Sequence, residues 1–294
     1  MTTYDCVIVG GGIAGLSAAL YTARANLKTL VIEASQYGGQ IVNSLEVENY
    51  PGVEDSISGY DLTQKLLNQV KSLNVEFLED EVIELKNNEV ITKNNVVSFK
   101  TAIVASGLKR RSLGVEDDFI GKGVSYCATC DGAFFRNKDV AVVGGGNTAL
   151  EDALYLSNLA KKVYLIHRRE EFRAEYTVLA RVKERENVEF VLNSEIKSIY
   201  GDNVLEGVIL NNDRKIPVSG LFIAIGLSPE TRYLNNILRV DENGFVVSED
   251  TRTNLENVFV AGDVRTKDLR QLITAASDGA IAATNCINYI NINS

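Results

Sequence analysis

The chain has 294 residues, of which 45% are hydrophobic and 23% charged, with a formal net charge of -9. This length and composition predict a globular protein of about two domains, and the acidic charge argues against a nucleic-acid binder, which needs a basic face toward phosphates. Apolar runs stay shorter than the roughly 18 residues that cross a bilayer, and the opening stretch MTTYDCVIVGGG lacks a basic leader. We therefore expect no membrane segment and a cytoplasmic protein.

The segment 6–33 predicts a strand, a glycine-rich turn, a helix and a second strand, the βαβ unit of dinucleotide-binding proteins. Gly10 allows the tight turn, Gly12 lets backbone N–H groups approach a pyrophosphate, and Gly15 lets the helix pack closely on the strand. Glu33 ends the second strand, 21 residues after Gly12, where a carboxylate accepts hydrogen bonds from a ribose diol. The segment therefore predicts a site for a nucleotide with a free ribose.

The stretch YCATCD places Cys127 and Cys130 two residues apart, with an acid, Asp131, directly after them. Such a pair is half of a zinc site, a structural disulfide or a redox dithiol. Zinc needs three or four ligands, but the sequence has a single histidine, His167, and no second CxxC. A structural disulfide is disfavoured in a reducing cytosol, so we interpret the pair as a redox dithiol.

The segment 140–167 repeats the segment 6–33 without a gap, at an offset of 134 residues. Its fingerprint is Gly144, Gly146 and Ala149, the permitted GxGxxA form. Two fingerprints in register are much more specific than either alone, and together they predict a second dinucleotide site.

The two copies differ in charge at the ribose position. Where the first has Glu33, the second has His167, which is followed by three arginines: Arg168, Arg169 and Arg173. An acid repels a 2′-phosphate, whereas the planar donors of arginine fit phosphate oxygens. The second copy is therefore predicted to bind NADPH in preference to NADH.

Three further apolar strands end in small-residue turns, at TAIVASG (101–107), LFIAIG (221–226) and NVFVAGDV (257–264). In the last, Gly262 lets a ligand approach the backbone, and Asp263 can accept a hydrogen bond from a sugar or ribitol hydroxyl. Since this turn suits a flavin better than a nicotinamide, we expect the tail to return to the first domain.

The predicted fold is α/β, with two Rossmann-like dinucleotide-binding domains and the second inserted into the first. The domain bounds are 1–114 and 241–294 for an FAD-binding domain, and 115–240 for an NADPH-binding domain that contains the CxxC centre. Cys6 and Cys286, in apolar surroundings, are interpreted as buried hydrophobic side chains.

Taken together, these motifs resemble the low-molecular-weight, bacterial-type thioredoxin reductases. The matching stretches are VGGGIAGLSAALYTAR, GGQ (38–40), ENYPG (48–52), CATCDG (127–132), VVGGGNTALEDAL, HRREEFRAE (167–175), GLSPET (226–231) and VFVAGDVRTKDLRQLITAASDG (258–279). The resemblance implies FAD in the first domain, NADPH in the second, a homodimer, and a thioredoxin or thioredoxin-like protein as the partner.

The resemblance also implies roles for single residues. Cys130 would be the sulfur nearest the flavin, and Cys127 the outer thiol that attacks the partner's disulfide. Asp131, which directly follows the pair, is by its position alone a candidate proton donor and acceptor for the departing thiolate. The resemblance adds seven residues to those expected to bind FAD: Ala14, Gly39, Gln40, Asn49, Arg270, Gln271 and Leu272. It adds Asn147 and Thr148 to those expected to bind NADPH.

The implied electron path runs from NADPH through FAD and the dithiol to an external disulfide. Cys130 and NADPH must both reach the flavin, while Cys127 must reach a protein, and one arrangement cannot serve all three contacts. We therefore expect the second domain to rotate on the chain crossings near 112–116 and 236–244.

Two other functions remain open. A related flavoprotein could use the same dithiol on another acceptor, as a peroxiredoxin-linked reductase or as a dithiol oxidase that passes electrons to oxygen; the arginine cluster HRREEFR disfavours the oxidase. A non-catalytic nucleotide-binding or redox-sensing module is disfavoured by the intact CxxC and acid beside two nucleotide sites. A ferredoxin–NADP reductase of similar fold would lack the CxxC.

Overall fold

The computed structural model of the chain describes residues 3–43, 47, 49–53 and 57–293. Met1 and Thr2 of the opening stretch and Glu48 of the ENYPG motif lie outside the described residues. The chain divides into two compact units, Met1–Lys109 with Ser228–Ser294 and Arg110–Leu227. The second unit is inserted into the first, as the sequence predicts.

Both units are built from strands and helices, with the following bounds among the described residues. The strands are β1 (Thr3–Val9), β2 (Thr29–Glu33), β3 (Glu76–Glu79), β4 (Val82–Lys86), β5 (Glu89–Thr92), β6 (Val96–Val104), β7 (Leu108–Arg110), β8 (Val124–Ser125), β9 (Asp139–Gly144), β10 (Lys162–Ile166), β11 (Val188–Val191), β12 (Ile196–Tyr200), β13 (Gly207–Leu210), β14 (Lys215–Pro217), β15 (Gly220–Ala224), β16 (Leu227–Pro229) and β17 (Val258–Val260). The helices are α1 (Ile13–Arg24), α2 (Gly59–Lys71), α3 (Ala128–Asp131), α4 (Asn147–Ser157), α5 (Tyr176–Lys183) and α6 (Leu272–Asn293). Among these described helices, none has the length and apolar content needed to cross a membrane.

The first unit is organised around one seven-stranded sheet, in the order β3-β2-β1-β6-β5-β4 with β17 also paired to β6. Strands β1, β2, β3, β6 and β17 are parallel, whereas β4 and β5 pair antiparallel. The parallel centre is buried on both faces, which explains the unbroken apolar run CVIV in β1. Because β17 pairs with β6 and α6 packs along α1, the tail returns to the first unit, which confirms the expectation.

The second unit contains a five-stranded parallel sheet, β11-β10-β9-β15-β8, and a three-stranded antiparallel sheet, β12-β13-β14. The predicted repeat is present in the backbone. The order β1-α1-β2 recurs as β9-α4-β10, and α1 and α4 begin at equivalent residues of the repeat, Ile13 and Asn147.

The chain crosses between the units earlier than the sequence pattern indicates. The second crossing lies at Leu227–Ser228, not near residue 240, and the first lies at Lys109–Arg110. The physical reason is the short turn that carries Tyr233 and Leu234, whose side chains are buried in the first unit's core beside its sheet strands. The crossing segments β7 and β16 pair with each other as a two-stranded ribbon.

The two cysteines outside the CxxC motif are buried and free of disulfide bonds, which confirms their interpretation as core side chains. Cys6 lies in β1 and Cys286 in α6, and both are fully buried. The Thr101 hydroxyl oxygen lies 2.7 Å from Cys286 Sγ. Burial is the main cause that raises the pKa of the Cys6 thiol, so this thiol stays neutral.

The two copies of the repeat differ at the third residue of the glycine fingerprint, which is Gly15 in the first copy and Ala149 in the second. A Cβ added to Gly15 would overlap the carbonyl oxygen of Gly10, so α1 approaches β1 more closely than any other residue would allow. In the second copy the equivalent residue, Ala149, carries a Cβ that is fully buried.

We expect Gly15→Ala to destabilise the apoprotein by about 3 kcal/mol, because the added methyl group overpacks a closed helix–strand contact. Ala149→Gly, the matched change in the second copy, should cost about 1 kcal/mol through helix propensity. Urea unfolding of both apo variants measures the difference. Equal stability of Gly15→Ala and the wild-type chain would contradict the prediction.

Candidate cofactor and redox sites

The first glycine loop is closed by the chain that follows β2. The Gly11 amide donates to Glu33 Oε2 at 2.7 Å, and the Gly38 amide donates to the Gly11 carbonyl at 2.8 Å. Gly12 caps α1 without a side-chain hydrogen bond from any described residue. The amide groups of the first helical turn are therefore available to an anion, which is how helix N-termini bind phosphate.

Tyr37 is part of this loop, although the sequence analysis did not single it out. Its ring would contact a Cβ added to Gly11 and packs edge-on against Phe77 with centroids 5.2 Å apart. Burial, followed by the carboxylates of Glu79 and Glu33, raises the pKa of Tyr37 to about 12. Its hydroxyl oxygen is buried and has no hydrogen-bond partner among the described residues. No sequence motif marks a tyrosine in a loop, so the position of Tyr37 beside Gly11 is evident only from the fold.

The Gly262–Asp263 turn lies against the start of α1. A Cβ added to Gly262 would lie 2.8 Å from the Ala14 Cβ. Asp263 Oδ1 is buried and accepts no hydrogen bond from a described residue, although Lys267 Nζ is 3.9 Å away. Burial raises the pKa of Asp263. A buried carboxylate oxygen that accepts no hydrogen bond from a described residue is suited to accept one from a ligand hydroxyl or amide.

Asp278 of α6 holds this turn in place, and it is a second residue that the sequence analysis missed. Its carboxylate accepts from the Gly262 amide at 3.0 Å, from Arg265 Nη1 at 3.1 Å and from Lys267 Nζ at 2.9 Å. The residue belongs to the matching stretch 258–279, but its role follows only from the packing of α6 beside the turn.

The other residues expected at the first site have definite partners within the first unit. The Asn49 amide donates to Gln271 Oε1 at 3.2 Å, so the fold brings together two residues 222 positions apart. Gln40 donates to the Leu108 carbonyl at 2.6 Å. A Cβ added to Gly39 would lie 3.1 Å from the Gly12 Cα.

Two more expected residues lie where the tail enters α6. Arg270 donates from Nε to the Asp263 carbonyl at 3.4 Å and places its guanidinium 4.2 Å from the centre of the Phe245 ring. Leu272 is the first residue of α6. Both are therefore anchored beside the Gly262–Asp263 turn.

The second glycine loop repeats this closure with different side chains. Gly146 caps α4 without a side-chain hydrogen bond among the described residues, and the Arg173 amide donates to the Gly145 carbonyl at 2.8 Å. His167 packs over Gly145, stacks on Phe172 with centroids 4.9 Å apart, and has its Nε2 3.1 Å from the Glu171 carbonyl. Burial, together with the neighbouring arginines, lowers the pKa of His167, so its ring supports the loop in the neutral form.

The positive charge at this loop is carried by exposed side chains, those of Arg168, Arg169 and Arg173. Asn147, expected to contact the nucleotide, uses its side chain within the protein. Its Oδ1 accepts from the Glu175 amide at 2.7 Å and its Nδ2 donates to Glu175 Oε1 at 3.2 Å. This pair fixes the start of α5. Thr148 is exposed and Ala149 is fully buried.

Cys127 and Cys130 form a disulfide with an S–S distance of 2.00 Å. Both residues are partly exposed. The Cys130 amide donates to Cys127 Sγ at 3.2 Å, and the Thr129 hydroxyl oxygen lies 3.4 Å from the same sulfur. The Asp131 carboxylate accepts a hydrogen bond of 2.6 Å from Ser125.

Two dinucleotide loops and one reducible disulfide together are typical of enzymes that pass electrons between a dinucleotide and a thiol pair. Residues 4–280 match the family model described as pyridine nucleotide-disulphide oxidoreductase. The chain is 43% identical over 300 residues to the thioredoxin reductase of Listeria monocytogenes, which covers 98% of this chain and 94% of the relative. It is 39% identical to that of Bacillus subtilis, over 98% of this chain and 95% of the relative.

A solved structure agrees with these relatives. The crystal structure of Lactococcus lactis thioredoxin reductase in its FR conformation matches with a TM-score of 0.82 at 38% identity, covering 98% of this chain and 99% of that one. The chain belongs to the pyridine nucleotide-disulphide oxidoreductases and, within them, to the thioredoxin reductase family. It is an enzyme that uses FAD and NADPH.

The residues of the first loop fit FAD. The first-turn amides that follow Gly12, which has no side chain to cap them, suit a pyrophosphate. Asp263 Oδ1, which accepts no hydrogen bond from a described residue, suits a ligand hydroxyl. In the second loop, the exposed arginines next to Gly145 suit the 2′-phosphate of NADPH. Both dinucleotides therefore match donors and acceptors that this chain provides.

Gly12→Ala and Gly146→Ala should both fold normally and lose nucleotide binding. At Gly12 the nearest atom to an added Cβ is 3.8 Å away, and at Gly146 there is none within 4 Å among the described residues. Since the protein has room for a methyl group, only a ligand that approaches the backbone requires glycine there. We expect about a tenfold or larger loss of FAD affinity for the first and of NADPH affinity for the second, a change of about 1.4 kcal/mol or more.

Thermal unfolding of the apoproteins and titration with each nucleotide measure these effects separately. Each variant is the control for the other, because Gly146→Ala should leave FAD affinity unchanged. Undiminished nucleotide binding in both variants would contradict the assignment of these loops.

Replacing both Arg168 and Arg169 by alanine should raise the KM for NADPH by about 10- to 100-fold, because charge-assisted hydrogen bonds to a phosphate are lost. The KM for NADH should stay within about twofold, since NADH has no 2′-phosphate. The matched control replaces Arg181 and Arg185, which are also exposed cations of the second unit. An equal effect on both nucleotides would show that the two arginines do not bind the 2′-phosphate.

Proposed function

We propose that the chain transfers two electrons from NADPH, through bound FAD and the Cys127–Cys130 pair, to the disulfide of a thioredoxin or thioredoxin-like protein. The observation that carries the proposal is the partly exposed disulfide, in the unit that also contains the arginine-bearing glycine loop. The name shared by its full-length relatives supports thioredoxin as the acceptor. Bound FAD supplies the conversion of a hydride into the electron pair that a disulfide takes up.

We assign the cofactors to the two units by their loops. The first unit holds FAD through Gly10, Gly12, Ala14, Gly15, Glu33, Gly39, Gln40, Asn49, Gly262, Asp263, Arg270, Gln271 and Leu272. The second unit holds NADPH through Gly144, Gly146, Asn147, Thr148, Ala149, His167, Arg168, Arg169 and Arg173. In the second list, His167 and Asn147 act by shaping the loop, because their side chains pack on Gly145 and bind Glu175.

Cys127 is the thiol that exchanges with the partner, and Cys130 is the thiol that faces the flavin. Two donors, the Cys130 amide and the Thr129 hydroxyl, lie within hydrogen-bonding distance of the Cys127 sulfur. After reduction these donors favour its thiolate, which is the nucleophile in disulfide exchange. This supports Cys127 as the attacking sulfur.

The exchange proceeds in two displacements. The Cys127 thiolate attacks one sulfur of the partner's disulfide, a mixed disulfide forms, and the partner's second sulfur leaves as a thiolate. Cys130 gives its proton to the Asp131 carboxylate and attacks Cys127 Sγ. The Cys127–Cys130 bond re-forms, the partner's first sulfur leaves, and Asp131 returns the proton to it. Two electrons pass to the partner, whose second thiolate takes its proton from solvent.

Cys130 and NADPH both have to reach the flavin, while Cys127 has to reach a protein, so we infer that the second unit rotates between half-reactions. The two crossings are single chain segments, and Gly107 and Gly226 beside them have positive φ angles of 65° and 95°. Such residues are suited to absorb a hinge motion. The working form is proposed to be a homodimer in the cytoplasm, the compartment where thiols are kept reduced.

Cys127→Ser should separate the two half-reactions. Under anaerobic conditions NADPH should bleach the flavin absorbance of both proteins. Oxidised thioredoxin should restore the absorbance of the wild-type protein only, because the variant lacks the sulfur that forms the mixed disulfide. Bleaching without recovery in the wild-type protein would move the acceptor elsewhere, and recovery on admitting oxygen would favour a dithiol oxidase. Failure of NADPH to bleach the flavin would contradict the NADPH site.

A further inference from the structure

Ser125 links the two ends of the redox motif through one hydroxyl group. It ends β8, two residues before Cys127, and only 7% of it is exposed. Its Oγ accepts a hydrogen bond from the Cys127 amide at 3.0 Å and donates to Asp131 Oδ2 at 2.6 Å. The Cys127 carbonyl, at 3.3 Å, is the more distant acceptor. The hydroxyl proton therefore goes to the carboxylate.

The backbone that carries Ser125 is fixed from both sides. Ser125 pairs with Phe222 in the parallel sheet of the second unit. The next residue, Tyr126, donates its hydroxyl to Glu116 Oε1 at 2.7 Å, and Glu116 is fully buried. Because the strand and the tyrosine hold it, the Ser125 hydroxyl presents a preset donor to Asp131.

We propose that Ser125 is a positioning residue of disulfide exchange, which orients the Asp131 carboxylate so that it accepts the proton of Cys130. The hydrogen bond of 2.6 Å from the Ser125 hydroxyl to Asp131 Oδ2 fixes the orientation of the carboxylate. The same hydroxyl accepts from the Cys127 amide, so the backbone of the exchanging cysteine and the carboxylate keep one relative geometry. The inference rests on the proposed function only for the role of Asp131.

Ser125→Ala removes the donor and leaves the fold of the strand. We expect the rate of thiol release in a single turnover to fall about tenfold, because the Asp131 carboxylate loses the hydrogen bond that orients it. Ser125→Thr, which keeps the hydroxyl, should restore the wild-type rate. Ser194→Ala is the matched control, since Ser194 is also buried in the second unit and donates to a backbone carbonyl at 2.9 Å.

The measurement is single turnover of the NADPH-reduced holoenzyme with 2-hydroxyethyl disulfide, followed by thiol release. Flavin bleaching by NADPH should be unchanged in the Ser125 variants. Asp131→Asn should slow thiol release, and Ser125→Ala added to it should have no further effect, because coupled residues are not additive. If Ser125→Ala proves unstable, Ser125→Gly removes the same hydroxyl.

An unchanged rate in Ser125→Ala, a slow rate that Ser125→Thr does not restore, or independent effects of Ser125→Ala and Asp131→Asn would overturn the inference and leave Ser125 a structural residue. Because the test uses a small disulfide, its result does not depend on which protein is the natural acceptor. If the wild-type protein fails to reduce thioredoxin while Ser125→Ala still slows thiol release from 2-hydroxyethyl disulfide, the proposed acceptor is wrong and the inference on Ser125 stands.

Discussion

Both nucleotide loops depend on one backbone hydrogen bond, formed by the chain that returns after the second strand of each βαβ unit. In the first unit it joins the Gly38 amide to the Gly11 carbonyl, and in the second the Arg173 amide to the Gly145 carbonyl, each at 2.8 Å. The bond ties the returning segment to the middle of the glycine loop. It thereby decides which side chains stand beside the first turn of the helix, where a phosphate would bind.

On this common backbone the two copies differ mainly in charge. In the first, Glu33 accepts from the Gly11 amide and leaves a negative group at the position of a ribose diol. In the second, the equivalent His167 is neutral and packed over Gly145, and the returning segment carries exposed arginines. The same kind of backbone closure is thus found with opposite charge beside the two loops.

Local patterns in the sequence were sufficient for the parts of the molecule that depend on neighbouring residues. The βαβ repeat and the CxxC pair each lie within a short stretch, so spacing and charge predict them. Tyr37, Ser125 and Asp278 could not be predicted, because their roles arise from contacts with residues that the fold brings near. The position of the second crossing also depends on tertiary packing. Because Tyr233 is buried in the first unit's core, the chain has already returned to the first unit before this residue.

The buried oxygen of Asp263 has a consequence for the lifetime of the protein. A buried carboxylate oxygen that accepts no hydrogen bond from a described residue lowers the stability of the chain without flavin, and a ligand that binds only the folded state adds stability with the logarithm of its concentration. At roughly 100 times the dissociation constant this amounts to about 2.7 kcal/mol. Flavin supply would then govern how much of this enzyme persists, since the unliganded chain unfolds more often and is open to proteolysis.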